Sequence, residues 1–247
     1  MSQASCRLAI DVGGTFTDVV LVDDGSAEVW FAKILSTPAD PSEGSLTGAG
    51  EILQRTGISS AAVRDVVHAT TVATNAVLEG KGARTGMIAT AGFRDALEMG
   101  REARYDIYDL GLRMPAPLVP RQRRMEVNER VDFDGNVLTP LDEGQVADVL
   151  TQLVRDAGIE SLAICLLHGY AHPAHEVRVA EIVARLYPNL TVSVSHQVSA
   201  EVREFERTST TVVDAYVKPL VQTYVGRLNK GLADLGMRQE ASMMLSH

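Results

Sequence analysis

Two short apolar runs near the N-terminus, Leu8-Ala9-Ile10 and residues 16–22, are rich in β-branched side chains and flank Asp11 and a Val12-Gly13-Gly14-Thr15 turn. That pattern predicts a β-hairpin. Residues 27–35 read as a third strand, after which Pro38 and Pro41 break the chain. Ser42 and Glu43 then open a helix that runs to about Arg55, with Gly57 as its stop. Residues 63–69 are apolar enough for a strand buried in a parallel part of the sheet, and 76–79 read as helix ended by Gly80.

The second half alternates in the same way. Residues 83–90 form a strand, and Gly92-Phe93-Arg94-Asp95 turns into a short helix ending near Gly100. Residues 101–120 have no steady period and read as a long ordered loop, whose Arg101, Arg104, Tyr105 and Asp106 are candidate substrate or interface residues or plain surface. Residues 125–131 and 137–139 flank an Asp-Gly-Asn tip and predict an antiparallel hairpin. Its carboxylates Glu126, Glu129, Asp132 and Asp134 fit a solvated face better than a metal site. Asp142 caps a helix to residue 156 or 157, residues 161–167 form a buried strand, 174–186 a helix and 191–194 a strand. From Val212 the spacing of Val213, Tyr216, Val217, Leu220, Tyr224, Leu228 and Leu232 predicts a helix with one buried face, started or kinked at Pro219. Residues 241–245 begin a last strand, and a strand with nothing after it is expected of a fragment.

The chemistry concentrates in two places. Asp11 ends the first strand, where a carboxylate can hold hydrated Mg²⁺, a hard ion that prefers oxygen ligands. Gly13 and Gly14 allow positive φ and leave room for N–H groups to converge on an anion, with Thr15 and Thr17 adding hydroxyls. A Walker loop and a dinucleotide fingerprint both open a helix, whereas these glycines open a strand. The reading is a phosphate cradle, against the alternative of a ligand-free Gly-Gly turn. The second place is His68, Thr70, Thr71, Thr74 and Asn75 at a strand end, where open α/β sheets put ligands. N-capping by Thr70 or Thr71 explains one threonine but not the whole set. His168, His172 and His175 lie in a loop and helix start and lack the regular spacing of a metal site. His196 and the segment from Glu201 to Thr211 face either a cleft or solvent.

Composition narrows the partners. A net charge of −9 over 247 residues gives no basic field to recruit nucleic acid or an acidic membrane. The N-terminus has no apolar core of signal-peptide length, and no apolar run reaches the ~20 residues that span a bilayer. A cytoplasmic location is expected. Two widely separated cysteines make neither a disulfide framework nor a zinc site.

Asp11-Val-Gly-Gly-Thr between two strands resembles the first phosphate loop of the actin-like ATPase and sugar kinase superfamily. Six ordered blocks sharpen that likeness: residues 11–18, 68–75, 92–95 and 108–110, Glu129-Arg-Val-Asp132 with Gly135, and Glu206-Arg-Thr-Ser-Thr-Thr211. Together they resemble the hydantoinase A / 5-oxoprolinase family, which includes acetone and acetophenone carboxylase subunits. The resemblance implies an α/β, actin-like (ribonuclease H-like) lobe with a mixed sheet, three antiparallel strands first and helices on both faces. It implies ATP and Mg²⁺, phosphorylation of a lactam, imide or ketone oxygen, and a second, B-type catalytic subunit. Asp11 would hold the metal; Gly13, Gly14, Thr15, Thr17, Thr70 and Thr71 would hold phosphates; Asp11, His68 and Asn75 would be catalytic. Family members are longer and carry a second glycine-rich loop that has no counterpart here. Residues 1–190 are therefore expected to form the N-terminal lobe and 191–247 the start of a truncated second lobe, inactive alone. The competing readings are a nucleotide-binding assembly lobe without turnover and a sugar-kinase-like protein.

Overall fold

The computed structural model describes residues 5–101, 106, 108, 109, 111 and 114–244. Contacts divide the chain into two compact units, Met1–Glu79 with Leu220–His247, and Gly80–Pro219. In order, the first unit supplies β1 (Cys6–Val12), β2 (Phe16–Asp23), β3 (Val29–Leu35), α1 (Pro41–Thr56), β4 (Val63–Thr70) and α2 (Val72–Leu78). The second supplies β5 (Thr85–Thr90), α3 (Ala96–Met99), β6 (Arg124–Val127), β7 (Arg130–Val131), β8 (Val137–Thr139), α4 (Glu143–Thr151), β9 (Ser161–Cys165), α5 (Ala174–Leu186), β10 (Thr191–Val194) and α6 (Ser195–Val198). Helix α7 (Glu204–Asp234) runs through the boundary, and β11 (Ala241–Met243) ends in the first unit.

The first unit is a five-stranded sheet in the order β11-β4-β1-β2-β3. β1, β2 and β3 form an antiparallel meander, while β4 lies parallel to β1 and β11 parallel to β4. This is the ribonuclease H-like order expected for an actin-like lobe. Alternation along β1 sends Cys6, Leu8, Ile10 and Val12 into a core shared with Val19 and Leu21 of β2, Ala49 and Ile52 of α1, and Leu228 and Leu232 of α7. Each such aliphatic side chain contributes on the order of 1.5–3 kcal/mol by burial. Gly48 sets how closely α1 approaches, since a Cβ there would lie 2.6 Å from Val19 Cγ2. The helix is tightly bounded: Asp40 accepts from the Ser42 N–H at 3.1 Å, and Gly57 closes it at φ 69° with its N–H on the Leu53 carbonyl.

The second unit holds an all-parallel sheet in the order β10-β9-β5-β6. β5 and β9 are buried on both faces, which explains their unbroken apolar runs. Val149, Leu150, Ile182 and Val183 of α4 and α5 belong to one layer, and Phe93, Leu97, Val212 and Ala215 to another.

The structure departs from expectation in four places. The hairpin expected over 125–139 is split: β6 joins the parallel sheet beside β5, and only β7 pairs with β8. The break falls at Asn128, whose N–H donates to Gln145 Oε1 of α4 instead of to a strand. Helix α7 begins at Glu204, eight residues before the apolar period does, and continues through Pro219. Its buried face is not a single stripe: Val213 and Leu220 are exposed, because Val212 and Ala215 pack in one unit and Leu228 and Leu232 in the other. Finally, neither unit boundary falls near residue 190: β10 pairs with β9, and β11 returns to β4 of the first unit.

Candidate phosphate-binding site

β1 and β4 run parallel with Val12 opposite Thr70, so the bend after β1 and the polar cluster after β4 lie at the same end of the first unit's sheet. The bend is a tight connection with β2 starting at Phe16 and no helix. The Gly13 N–H donates to the Phe16 carbonyl at 3.0 Å, and the Ser36 N–H to the Thr15 carbonyl at 2.9 Å. The Ser36 hydroxyl donates to the Gly13 carbonyl at 2.8 Å, which leaves it to accept from Thr17 at 3.2 Å. With these bonds made, the N–H groups of Gly14 and Thr15 have no partner among the described residues, and both residues are exposed. Neither Gly13 nor Gly14 takes the left-handed φ expected of a Gly-Gly turn. Their contribution is room: a Cβ on Gly13 would lie 3.2 Å from the Phe16 carbonyl oxygen, and one on Gly14 would meet nothing within 4 Å. The bend is open to a ligand.

Asp11 sits on the exposed face of the sheet, directly across from Asp18 in the β1–β2 register. Asp18 is engaged by Lys33 Nζ at 2.8 Å, and that ammonium also lies 4.8 Å from the Phe16 ring centroid. Among the described residues no cluster of three or more His, Cys, Asp or Glu side chains is arranged to hold a metal. A single exposed carboxylate beside free amides fits hydrated Mg²⁺, which takes one or two protein ligands and the oxygens of a phosphate chain.

The expected site residues separate into two groups. Asp11, Gly13, Gly14, Thr15, Thr70, Thr71 and Asn75 share the sheet end: the Thr71 N–H donates to the Val12 carbonyl at 3.3 Å, and Asn75 Nδ2 to Thr71 Oγ1 at 3.3 Å. Thr70 Oγ1 accepts from the Val72 N–H at 3.2 Å. Thr17 and His68, by contrast, are fully buried. Thr17 anchors Ser36 and through it the bend, and its buried hydroxyl is not presented to the bend's open side.

His68 is engaged at both ring nitrogens. Its Nδ1 lies 3.0 Å from the Ile10 carbonyl, which can only accept, so Nδ1 carries the proton and Nε2 takes the Tyr224 hydroxyl at 2.5 Å. Burial holds the His68 pKa below its ordinary value and the Tyr224 phenol above its own, so both are neutral at pH 7. With no ring nitrogen left, His68 positions β1 against β4 one residue before Asp11 and does not reach a ligand. Tyr224 and Ser36 carried no chemical signal in the sequence: one sat in a helix's apolar stripe, the other in a strand-to-helix link. Of the loop candidates, Arg104 and Tyr105 lie outside the described residues, Asp106 accepts from the Tyr108 N–H, and Arg101 pairs with Glu206 at 2.8 Å.

Two buried carboxylates of the second unit are bound up as well. Glu129 is buried between the Thr90 hydroxyl and His175 Nδ1, the latter at 2.7 Å. Glu176 is buried among the Leu166 N–H, the Ser195 hydroxyl, and the N–H and Nδ1 of His196. His172 reaches the Phe133 carbonyl at 3.1 Å.

Against known proteins, residues 7–187 match the family described as the hydantoinase/oxoprolinase N-terminal region. The alpha subunit of caprolactamase from Pseudomonas jessenii is 35% identical over 245 residues, 97% of this chain and 35% of that one. The solved structure of that ATP-dependent caprolactamase superposes with a TM-score of 0.87 at 32% identity, over 96% of this chain and 35% of that chain. The gamma subunit of acetophenone carboxylase from Aromatoleum aromaticum is 37% identical over 234 residues, 88% of this chain and 32% of that one. A nucleotide-free structure of acetone carboxylase, from work on ATP-dependent acetone carboxylation, gives a TM-score of 0.86 at 28% identity over 99% of this chain and 36% of that chain. The chain thus spans about a third of the length of these relatives. No helix among the described residues is long and apolar enough to cross a membrane.

Proposed function

This chain belongs to the hydantoinase/oxoprolinase family, in its N-terminal region, and from that premise we propose that it is the nucleotide-binding part of an ATP-dependent enzyme that activates a lactam, imide or ketone. The observation that carries the reading is the open bend between β1 and β2, with two unengaged amides beside the exposed Asp11. ATP is the phosphoryl donor. The Gly14 and Thr15 N–H groups hold phosphate oxygens, Thr71 and Asn75 border them, and Asp11 holds hydrated Mg²⁺, which supplies charge neutralisation on the phosphate chain. His68, Thr17 and Ser36 keep the bend in shape.

The reaction follows from the leaving group. A lactam nitrogen or a ketone oxygen leaves poorly, so the carbonyl oxygen, made nucleophilic as a carboxylate or imidazole base of the assembled enzyme takes up the adjacent N–H or α C–H proton, bonds to the γ-phosphorus as the bond to the β–γ bridging oxygen breaks. ADP departs with that electron pair. Water then adds to the phosphate-bearing carbon of a lactam or imide, and the C–N bond breaks with its electron pair and one of the water's protons going to nitrogen. Hydrolysis of the acyl phosphate left behind gives the carboxylate and inorganic phosphate, whereas a ketone's enol phosphate gives up its phosphoryl group to water as its α carbon bonds to carbon dioxide. A partner subunit completes the chemistry. The relatives' names, caprolactamase subunit alpha and acetophenone carboxylase gamma subunit, support an assembly of this kind.

The test is titration of the chain with Mg-ATP by calorimetry, and ATP turnover by the longer protein with its partner. Asp11→Asn should lower Mg-dependent turnover about a hundredfold or more without changing the melting temperature. Wild-type turnover in that variant would overturn the assignment. Mg-ATP binding with no turnover in the full assembly would favour the assembly-lobe reading.

A further inference from the structure

The second unit contains a cavity of about 410 Å³ that shares no lining residue with the bend between β1 and β2. It opens at the carboxyl end of β5, where Gly92 turns the chain at φ 89°, and extends to the first turn of α7. Phe93, Ala96, Met99 and Phe205 make its walls. The volume lies within the range of about 300–1,000 Å³ common for small-molecule sites, and so does the make-up of an apolar body with a few polar groups.

The polar groups stand at one edge: Arg101, Arg203, Glu204 and Glu206. Arg101 Nε donates to Glu206 Oε1 at 2.8 Å, and Arg203 NH1 stands 4.0 Å from the same oxygen. The Glu206 backbone N–H first, and then Arg101, hold that carboxyl below its usual range, so it is ionised and serves as an acceptor. Two guanidiniums against two carboxylates leave the edge with no net charge. It offers no excess field to an ion, but it sets N–H donors beside carboxylate acceptors. That pairing matches a neutral group presenting a C=O and an N–H side by side.

Arg203 is also held at φ 82°, a left-handed conformation that strains any residue other than glycine. Glycine would sit there without strain, so the arginine occupies the position at a cost to the fold.

We propose that this cavity is the binding site for the uncharged carbonyl substrate: the ring packs against Phe93, Met99 and Phe205, the carbonyl accepts from Arg203, and the amide N–H donates to Glu204 or Glu206. The choice of a carbonyl compound rests on the activity proposed above. The choice of a neutral one rests on the balanced edge.

The probes are ε-caprolactam, the anionic cyclic amide 5-oxoproline and the ring-opened zwitterion 6-aminohexanoate, each measured on the 247-residue chain by saturation-transfer NMR and calorimetry. ε-Caprolactam should bind, and more tightly than either charged probe. Met99→Trp fills the cavity from an exposed position, so the fold should survive, and affinity should fall at least about tenfold. Arg203→Gly relieves the strain and removes the donor: melting temperature should hold or rise while affinity falls about tenfold. Binding of the charged probes in preference to the lactam overturns the neutral class. No binding of any probe, or binding unchanged in Met99→Trp, overturns the site. Mg-ATP affinity, measured on the same samples and in Asp11→Asn, reports on the proposed activity separately, because Met99→Trp and Arg203→Gly leave the bend between β1 and β2 untouched.

Discussion

Removing one hydroxyl, in Tyr224→Phe, tests the buried bridge that ties α7 to β4, the strand beside the candidate phosphate site. The phenol donates to His68 Nε2 at 2.5 Å, and both residues are buried, at 4% and 0% exposure. Phenylalanine fills the same space but leaves Nε2 as a buried acceptor without a donor. That costs about 1–3 kcal/mol. At a urea slope of about 1.5 kcal/mol per M, the unfolding midpoint of the first unit should fall by about 0.7–2 M with the slope unchanged. The assay is built into the chain: Trp30, its single tryptophan, packs against the first unit's core, so its fluorescence reports that unit. A second arm closes the cycle. His68→Leu combined with Tyr224→Phe should cost less than the two single changes added together, because with both partners gone neither is left unsatisfied. A midpoint within about 0.2 M of wild type in Tyr224→Phe, or strict additivity in the double variant, would refute the bridge.

Four further outcomes follow from the same geometry. Burial depresses the His68 pKa, so the unfolded chain binds a proton that the folded one refuses; the stability this contributes is fully present above about pH 6.5, declines as pH falls below that, and should be absent from the pH profile of His68→Leu. Gly14→Ala adds a methyl group to open space and should leave the melting temperature unchanged, while Mg-ATP affinity by calorimetry drops about tenfold or more; unchanged affinity would mean that no phosphate lies over the bend. Glu176→Gln replaces one carboxylate oxygen by a donor among four donated hydrogen bonds, and should lower the second unit's stability by about 3–5 kcal/mol in thermal circular dichroism. Cys6 and Cys165 are buried free thiols, and burial pushes the Cys165 pKa up to about 12, so both should resist a thiol reagent in the native chain and react on unfolding in urea.

The bend and the antiparallel meander were legible because their signals are local. Alternation in β1, the Gly-Gly pair and the β-branched run of β2 all act within fifteen residues, and β1 and β2 pair antiparallel as the hairpin reading expects. The candidate site was half legible for the same reason. Asp11, Gly13 and Gly14 declare themselves by type and spacing. Whether Thr17 or His68 touches a ligand depends on which face of the strand is covered, and α1 and α7 decide that from elsewhere in the chain. Parity was available within β1 itself: Asp11 is out of phase with the buried Leu8, Ile10 and Val12. Across the bend, Thr17 keeps phase with Val19 and Leu21, which made it a core residue despite its hydroxyl.

What sequence could not supply was partnership at long range. The strand at residues 124–127 alternates well enough for a hairpin, but its neighbour is chosen by Val127, which buries completely in the second unit's core only when β6 lies beside β5. Pro219 removes one N–H from α7 and would end an isolated helix, yet packing on either side holds the turns together, with Val212 and Ala215 before it and Leu228 and Leu232 after it. β11 is the extreme case. Three residues, Ala241-Ser242-Met243, carry too little pattern to name a sheet, and the strand they join, β4, ends at residue 70. The chain is brought back by α7: Leu228 and Leu232 bury against β1, Asn229 Oδ1 accepts from the Ala241 N–H at 3.0 Å, and the strand then pairs with β4. The segment beginning at residue 80 could therefore be inserted into a ribonuclease H-like unit without altering its sheet, because the information that closes the sheet lies in the helix that follows the insertion rather than in the strand itself.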